Sequence, residues 1–250
     1  MNAAHFEYVQ RLGDNALILG QRLSAWCGHS PFLEEDIAMA NTALDLIGRA
    51  RMLYTHAAAL EGQGRDEDAL AYGRDERQFG NFLICELPNG DYAFTLVRQY
   101  LLDVYHHQLF LALCDSSDPS LAAIAAKAVK EAAYHLRRSG DWLVRLGDGT
   151  DESHARCQTA LDELWAYTGE LFVGDGIDSA MAERGIGLDP AQLAPAWRET
   201  VTTQINNATL KVPRDDWQAS GGRAGLHTEH MGHLLAELQF LQRAYPGLQW

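Results

Sequence analysis

Acidic residues and histidines recur at helical spacing along the chain, a pattern that helical bundles use to hold two metal ions. In such bundles two helices give one carboxylate each, and two others give Glu-x-x-His with its ligands one turn apart. The stretch "KEAAYH" at residues 130–135 nearly spells the second motif, because Glu131 precedes His135 by four residues. The residue three before the histidine is Ala132. The stretch is therefore a displaced ligand pair or an ordinary i,i+4 pair.

The remaining ligand positions of such a centre are only partly filled. The first helix offers the amide of Asn15, the second offers Asp45 with Gly48 where a histidine belongs, and the third offers Asp103. Two acids and one histidine thus remain of six expected ligands. We interpret the following positions as vestigial: Asn15, Asp45, Gly48, Asp103, Ala132 and His135, with Glu131 displaced about 100° round the helix. The prediction is that the chain holds no metal, no cofactor and no catalytic residue.

Two alternatives stay open for these acids. Asp45 stands one turn before Arg49 and Glu131 one turn after Lys127, so short-range ion pairs explain both without a metal. The competing hypothesis is a metal-dependent oxidoreductase in its own right. Its atypical carboxylate and histidine site would be drawn from Asp45, Asp103, His106, Glu131 and His135.

Two histidine clusters complete the set of candidate ligands. "DVYHH" at 103–107 places two adjacent histidines about 100° apart on a helix, which favours a surface or interface role for at least one. "HTEHMGH" at 227–233 does not have the H-E-x-x-H order of zinc proteases, and we interpret it as structural.

The secondary structure around these residues follows a helical period throughout. Apolar stripes, glycine and proline stops and capping residues predict helices over about 5–26, 32–61, 91–114, 119–146, 152–173, 190–208 and 228–244, with shorter helices within 66–87. Two long antiparallel pairs joined by a longer connection are typical of a ferritin-like four-helix bundle. We predict an all-α chain with a single ferritin-like domain over 1–250, its bundle at about 5–146 and additional helices at about 152–250.

Charge and hydropathy exclude several classes of function. A formal net charge of −14 argues against general nucleic-acid binding. No apolar run approaches the roughly 20 residues that span a bilayer, and the N-terminus has no basic segment followed by an apolar one. We therefore expect a cytoplasmic protein that binds neither nucleic acid nor membrane.

Five stretches carry a specific resemblance to a known family. They are "LGDNALILGQRLSAWCGHSP" (12–31), "NTALDLIGRAR" (41–51), "RDERQFGNFL" (74–83), "KEAAYHLRRSGDWLVRLGDGT" (130–150) and "GLHTEHMGHLLAELQFLQRAYPGLQW" (225–250). The chain resembles, over nearly its full length, the C subunits of the bacterial phenylacetyl-CoA 1,2-epoxidases, which are ring-epoxidising multicomponent monooxygenases of aerobic phenylacetate catabolism.

This resemblance implies a non-catalytic structural subunit within a hetero-oligomer. In the family, the di-iron centre and the CoA-thioester substrate belong to a catalytic A subunit, and the C subunit pairs with it. A B subunit and a reductase with FAD and a 2Fe–2S cluster complete the electron path from NADPH. We expect partner contacts among the additional helices and at Trp197, Trp217 and Trp250. The third alternative is a stand-alone helical binding protein.

Overall fold

The computed structural model describes residues 3–248, and within them the chain is helical without a strand. The α-helices are α1 (Ala3–Ser24), α2 (Leu33–Glu61), α3 (Glu67–Tyr72), α4 (Leu83–Glu86), α5 (Tyr92–Leu113), α6 (Pro119–Gly147), α7 (Asp151–Trp165), α8 (Gly176–Glu183), α9 (Ala194–Asn207) and α10 (Glu229–Ala244). Short 3-10 turns lie at Glu76–Gln78, Gly169–Phe172, Pro190–Leu193 and Gly222–Ala224. The all-α prediction is confirmed, and the elements are those of a ferritin-like helical bundle.

The long helices begin and end within a few residues of the predicted bounds, but two regions differ. The glycine-rich break after residue 173 contains α8, an eight-residue helix that the sequence did not predict. Its N-cap, Asp175, accepts hydrogen bonds from two backbone N–H groups of the first turn. The predicted helix over 152–173 ends at Trp165 and continues as a 3-10 turn.

Contacts divide the chain into two compact units. Unit 1 takes in the described residues of Met1–Pro88 and Ser220–Trp250, and unit 2 is Asn89–Ala219. The expectation of a single domain stays a prediction.

Unit 1 is organised around the antiparallel pair α1 and α2. Gly13 faces Tyr54 and Gly20 faces Ala43, so the two helices run in opposite directions along the contact. A Cβ added at Gly13 would lie 2.6 Å from Cε1 of Tyr54, which requires a residue without a side chain there. α10 packs on α3, α4 and the 3-10 turn at Glu76–Gln78.

Unit 2 is organised around the antiparallel pair α5 and α6, on which α7 and α9 pack. Asp118 caps α6 by accepting hydrogen bonds from the N–H groups of Ser120 and Leu121, and Pro119 occupies the first helical position as predicted. The indole of Trp197 is buried against Trp165 with ring centroids 5.8 Å apart.

Two of the three tryptophans expected at partner contacts can be checked. The expectation was wrong for Trp197, which is 1% exposed and donates its Nε1–H to the carbonyl of Leu101 at 2.9 Å. Trp217 is 71% exposed, and Trp250 lies outside the described residues. Among residues 3–248, no helix has both the length and the apolar character needed to cross a bilayer.

Candidate functional site

The amide of Asn15 is bound to the chain that precedes α4. Its Oδ1 accepts hydrogen bonds from the backbone N–H of Phe82 at 2.7 Å and from Sγ of Cys85 at 3.7 Å. The residue is 7% exposed. Asn15, which we interpret from the sequence as a vestigial ligand position, therefore has a structural function in unit 1, because it satisfies a buried backbone donor.

The neighbouring carboxylate of Asp14 is the centre of a buried polar cluster that sequence reasoning missed. It accepts hydrogen bonds from the Tyr54 hydroxyl at 2.6 Å, from the Gly80 N–H at 2.8 Å and from both terminal nitrogens of Arg74. Asp14 is fully buried and the Arg74 side chain is 3% exposed. A buried carboxylate with four donors and a bidentate guanidinium is fully compensated without a metal.

The protonation of this cluster follows from its burial and its charges. Burial, and then the Asp14 carboxylate, raise the pKa of the Tyr54 hydroxyl well above its usual range, so Tyr54 remains a donor. Burial alone lowers the pKa of Arg74. Asp14 and Tyr54 together outweigh the effect of burial, so the pKa of Arg74 is raised. Arg74 also lies over the ring of Phe79, 4.0 Å from its centroid.

On α2, the predicted positions Asp45 and Gly48 are less buried than the Asp14 cluster. Asp45 is half-buried, and Gly48 offers no ligand atom. A Cβ added at Gly48 would meet nothing within 4 Å, so packing inside the chain does not require glycine there. Space around the Cβ therefore does not explain why a side chain is missing at this position.

On α5, both oxygens of the Asp103 carboxylate accept hydrogen bonds from within unit 2. Gln99 Nε2 donates at 2.6 Å, and the Ser139 hydroxyl of α6 donates at 2.8 Å. All three side chains are buried. Asp103 therefore links the two long helices, and burial together with its charge raises the pKa of the nearby Tyr100 hydroxyl.

On α6, the displaced acid and the histidine lie in different environments. Glu131 forms the i,i+4 ion pair with Lys127 at 3.4 Å, as the ion-pair alternative for this acid predicts. Ala132 is 1% exposed and His135 3% exposed. The glutamate thus lies beside an exposed lysine, while the position where Glu-x-x-His needs its acid is a buried alanine.

The two histidine clusters have separate surroundings. His106 is buried with its ring 6.1 Å from that of Phe110, and His107 is half-buried. In unit 1, both ring nitrogens of His227 face acceptors: Nδ1 lies 2.7 Å from the Glu86 carboxylate and Nε2 lies 3.0 Å from the Phe79 carbonyl. Two acceptor partners favour the imidazolium form, in which both nitrogens donate.

The His227–Glu86 pair ties the start of α10 to α4. Glu86 also accepts from the Thr228 N–H at 2.6 Å and from Asn81 Nδ2 at 2.9 Å. Burial alone lowers the pKa of His227. The hydrogen bond and the charge of Glu86 outweigh the effect of burial, so the pKa of His227 is raised. The histidines of "HTEHMGH" therefore include one that is structural.

The donors at the six positions do not fit a di-iron centre. Asn15 is an amide bound to backbone, and neither Gly48 nor Ala132 has a ligand atom. A di-iron bundle requires carboxylates and imidazoles at all of these positions. That the chain holds no metal stays a prediction.

Comparison with known proteins gives two full-length similarities. Residues 1–250 match the family described as phenylacetic acid catabolic protein. The C subunit of the Escherichia coli (strain K12) 1,2-phenylacetyl-CoA epoxidase is 56% identical over 243 residues, which make up 97% of this chain and 98% of that protein.

Proposed function

Because the chain belongs to the phenylacetic acid catabolic protein family, we propose that it is a non-catalytic subunit of a ring-epoxidising phenylacetyl-CoA oxygenase. The observation that carries the proposal is its similarity, along almost all of both chains, to the C subunit of the E. coli epoxidase. The complex would act in phenylacetate catabolism, in the cytoplasm.

The proposed role is to support a catalytic A subunit that holds the di-iron centre. The bonding of the former ligand positions favours this role, since Asn15 and Asp103 bind donors of their own unit and Glu131 pairs with Lys127. The B subunit and the reductase with FAD and a 2Fe–2S cluster would complete the complex. Metal chemistry and electron transfer would then belong to the partners.

An exposed apolar stripe on α2 is the surface we assign to the catalytic partner. Leu33 is 72% exposed, Ile37 53% and Leu44 65%, and their spacing places them on one side of the helix. Large aliphatic side chains aligned in this way are costly to leave in water and are typical of protein interfaces. The half-buried Gly48, with open space above it, would let a partner helix approach closely at the end of the stripe.

Co-expression with the A subunit of the same genome tests the proposal. We expect the two chains to co-purify as a stable complex whose iron is accounted for by the A subunit. When this chain is purified alone, a chelator should remove any iron that it carries. Leu44→Glu should weaken the complex, whereas Leu111→Glu, which changes a leucine of α5 that is 58% exposed, should not. Failure to co-purify at micromolar concentrations would contradict the structural role.

The competing metalloenzyme hypothesis makes the opposite prediction for the isolated chain. It requires near-stoichiometric iron that survives chelation and is lost in His135→Ala together with turnover. Under the proposed function His135→Ala leaves the iron content of the A subunit unchanged in the complex. Metal analysis of the wild-type chain and the variant therefore separates the two.

A further inference from the structure

Three arginines from three separate segments of unit 1 line one cleft. Arg11 belongs to α1, Arg77 to the 3-10 turn at Glu76–Gln78 and Arg223 to the turn at Gly222–Ala224. The cleft has a volume of about 310 Å³, and Glu7 is the acid among its lining residues. The lining thus carries three positive charges against one negative in a chain of net charge −14.

The rim of this cleft is built from backbone packed too closely for side chains. A Cβ at Gly225 would overlap the carbonyl oxygen of Arg77, and one at Gly222 would overlap that of Asn81. Gly225 has φ +73°, a conformation that favours glycine. The carbonyl of Phe79, another residue of the cleft lining, lies 3.0 Å from His227 Nε2. These contacts fix the backbone of the two turns, and therefore the positions of the Arg77 and Arg223 Cα atoms.

The arginines differ in how much of their charge is already balanced. The Arg11 side chain, 9% exposed, donates to Glu7 at 2.8 Å and lies against Gly80, where a Cβ would be 2.8 Å from its Cγ. Arg77 is exposed, and within residues 3–248 no carboxylate pairs with its guanidinium. The cleft therefore combines a positioned inner arginine with an uncompensated one at its edge.

We propose that this cleft binds the phosphate group of a small phosphorylated ligand. Three guanidinium groups and one carboxylate line the cleft, so it favours an anion, and a phosphate monoester carries about −1.5 to −2 at neutral pH. Guanidinium forks bind phosphate oxygens in bidentate fashion, and several from different directions enclose a tetrahedral anion better than a planar carboxylate. The volume lies at the lower end for small-molecule pockets, roughly 300–1,000 Å³.

Titration of the purified full chain tests the proposal with three probes: inorganic phosphate, glycerol 3-phosphate and coenzyme A, with acetate as the carboxylate control. Calorimetry gives the affinity, and the ¹⁵N–¹H signal of Arg77 Nε, identified by its loss in Arg77→Gln, reports contact.

We expect saturable binding that weakens with added salt and shifts this signal. Arg77→Gln and Arg223→Gln should each raise the Kd about five- to tenfold, because a charge-assisted hydrogen bond is lost. Arg214→Gln removes the same charge from an exposed arginine outside the cleft and should leave the Kd unchanged.

The probes separate the sources of the phosphate. Equal affinity for all three phosphate probes assigns the site to the phosphate group alone, and tighter binding of glycerol 3-phosphate or coenzyme A extends it to the rest of that ligand. Saturation by acetate with the same affinity, absence of saturable binding by every phosphate probe, or an equal effect of Arg214→Gln would overturn the proposal. Co-purification with the A subunit is unaffected by these outcomes, so the two proposals fail separately.

Discussion

Nη1 of Arg74 lies 3.1 Å from Oδ2 of Asp14, and both side chains are buried. The pair joins α1 to the segment after α3 across 60 residues of sequence. Tyr54 of α2 donates to the same carboxylate, so a single polar cluster connects three segments of unit 1. Buried ion pairs of this kind contribute little net stability when intact, but loss of one partner leaves an uncompensated charge.

Asp14→Ala should therefore lower the free energy of unfolding by about 3–5 kcal/mol, because the Arg74 guanidinium is left buried without its carboxylate. Urea unfolding followed by circular dichroism measures the change. Arg74→Met should be comparably destabilising, and the double variant should cost less than the sum of the two. Arg51→Gln breaks an exposed ion pair with Glu67 and should have no measurable effect. Additive effects in the double variant would show that the two side chains are not coupled.

The His227–Glu86 pair predicts how stability depends on pH. The pKa of His227 is raised in the folded chain above its ordinary value of 6.5, so its contribution is full below about pH 6.5. That contribution is lost as the pH rises through the raised value. The Tm difference between wild type and His227→Gln should therefore shrink from pH 6 to pH 9, as measured by scanning calorimetry. A constant difference for His227→Gln over this range would contradict an imidazolium.

The cysteines should differ strongly in their reactivity. Burial, and then the charge of Asp91, raise the pKa of the Cys157 thiol to about 11, whereas Cys27 is exposed. Because the thiolate is the reactive form, iodoacetamide at pH 8 should label Cys27 readily and Cys157 only after unfolding in urea. Peptide mass spectrometry locates the label, with Cys27→Ser as the control for assignment. Equal labelling rates for the two cysteines in the folded chain would contradict the burial of Cys157.

Local sequence signals predicted the long helices and their ends well. Asp118 with Pro119 marks the start of α6 because capping and a fixed φ act within a few residues. The Asp14–Arg74 pair left no such signal, since the partners lie 60 residues apart and only tertiary packing brings them together. Trp197 gave no signal of burial either, because an indole in an amphipathic helix suits a core as well as an interface. At the candidate site, spacing in the sequence proposed the ligand positions, and the structure adds that Asn15 binds the Phe82 backbone.

Ala132 gives the sharpest test of whether a metal site survives on α6. It is 1% exposed and stands where Glu-x-x-His would need its acid. Ala132→Glu should lower the free energy of unfolding by about 3 kcal/mol or more, because a charged carboxylate would replace a methyl group at a buried position. Ala133→Glu adds the same charge one residue along, at an exposed position, and should change stability little.

Urea unfolding of both variants with and without Fe(II) completes this test. If the ligand set has decayed as we infer, Fe(II) does not restore the stability of Ala132→Glu, since Gly48 and Asn15 still supply neither an imidazole nor a carboxylate. Stabilisation by stoichiometric Fe(II) that is abolished by His135→Ala would instead show that the remaining donors still form a metal site. A metal bound only by the folded state stabilises it by an amount that grows with the logarithm of its affinity. That result would therefore return catalysis by this chain to consideration.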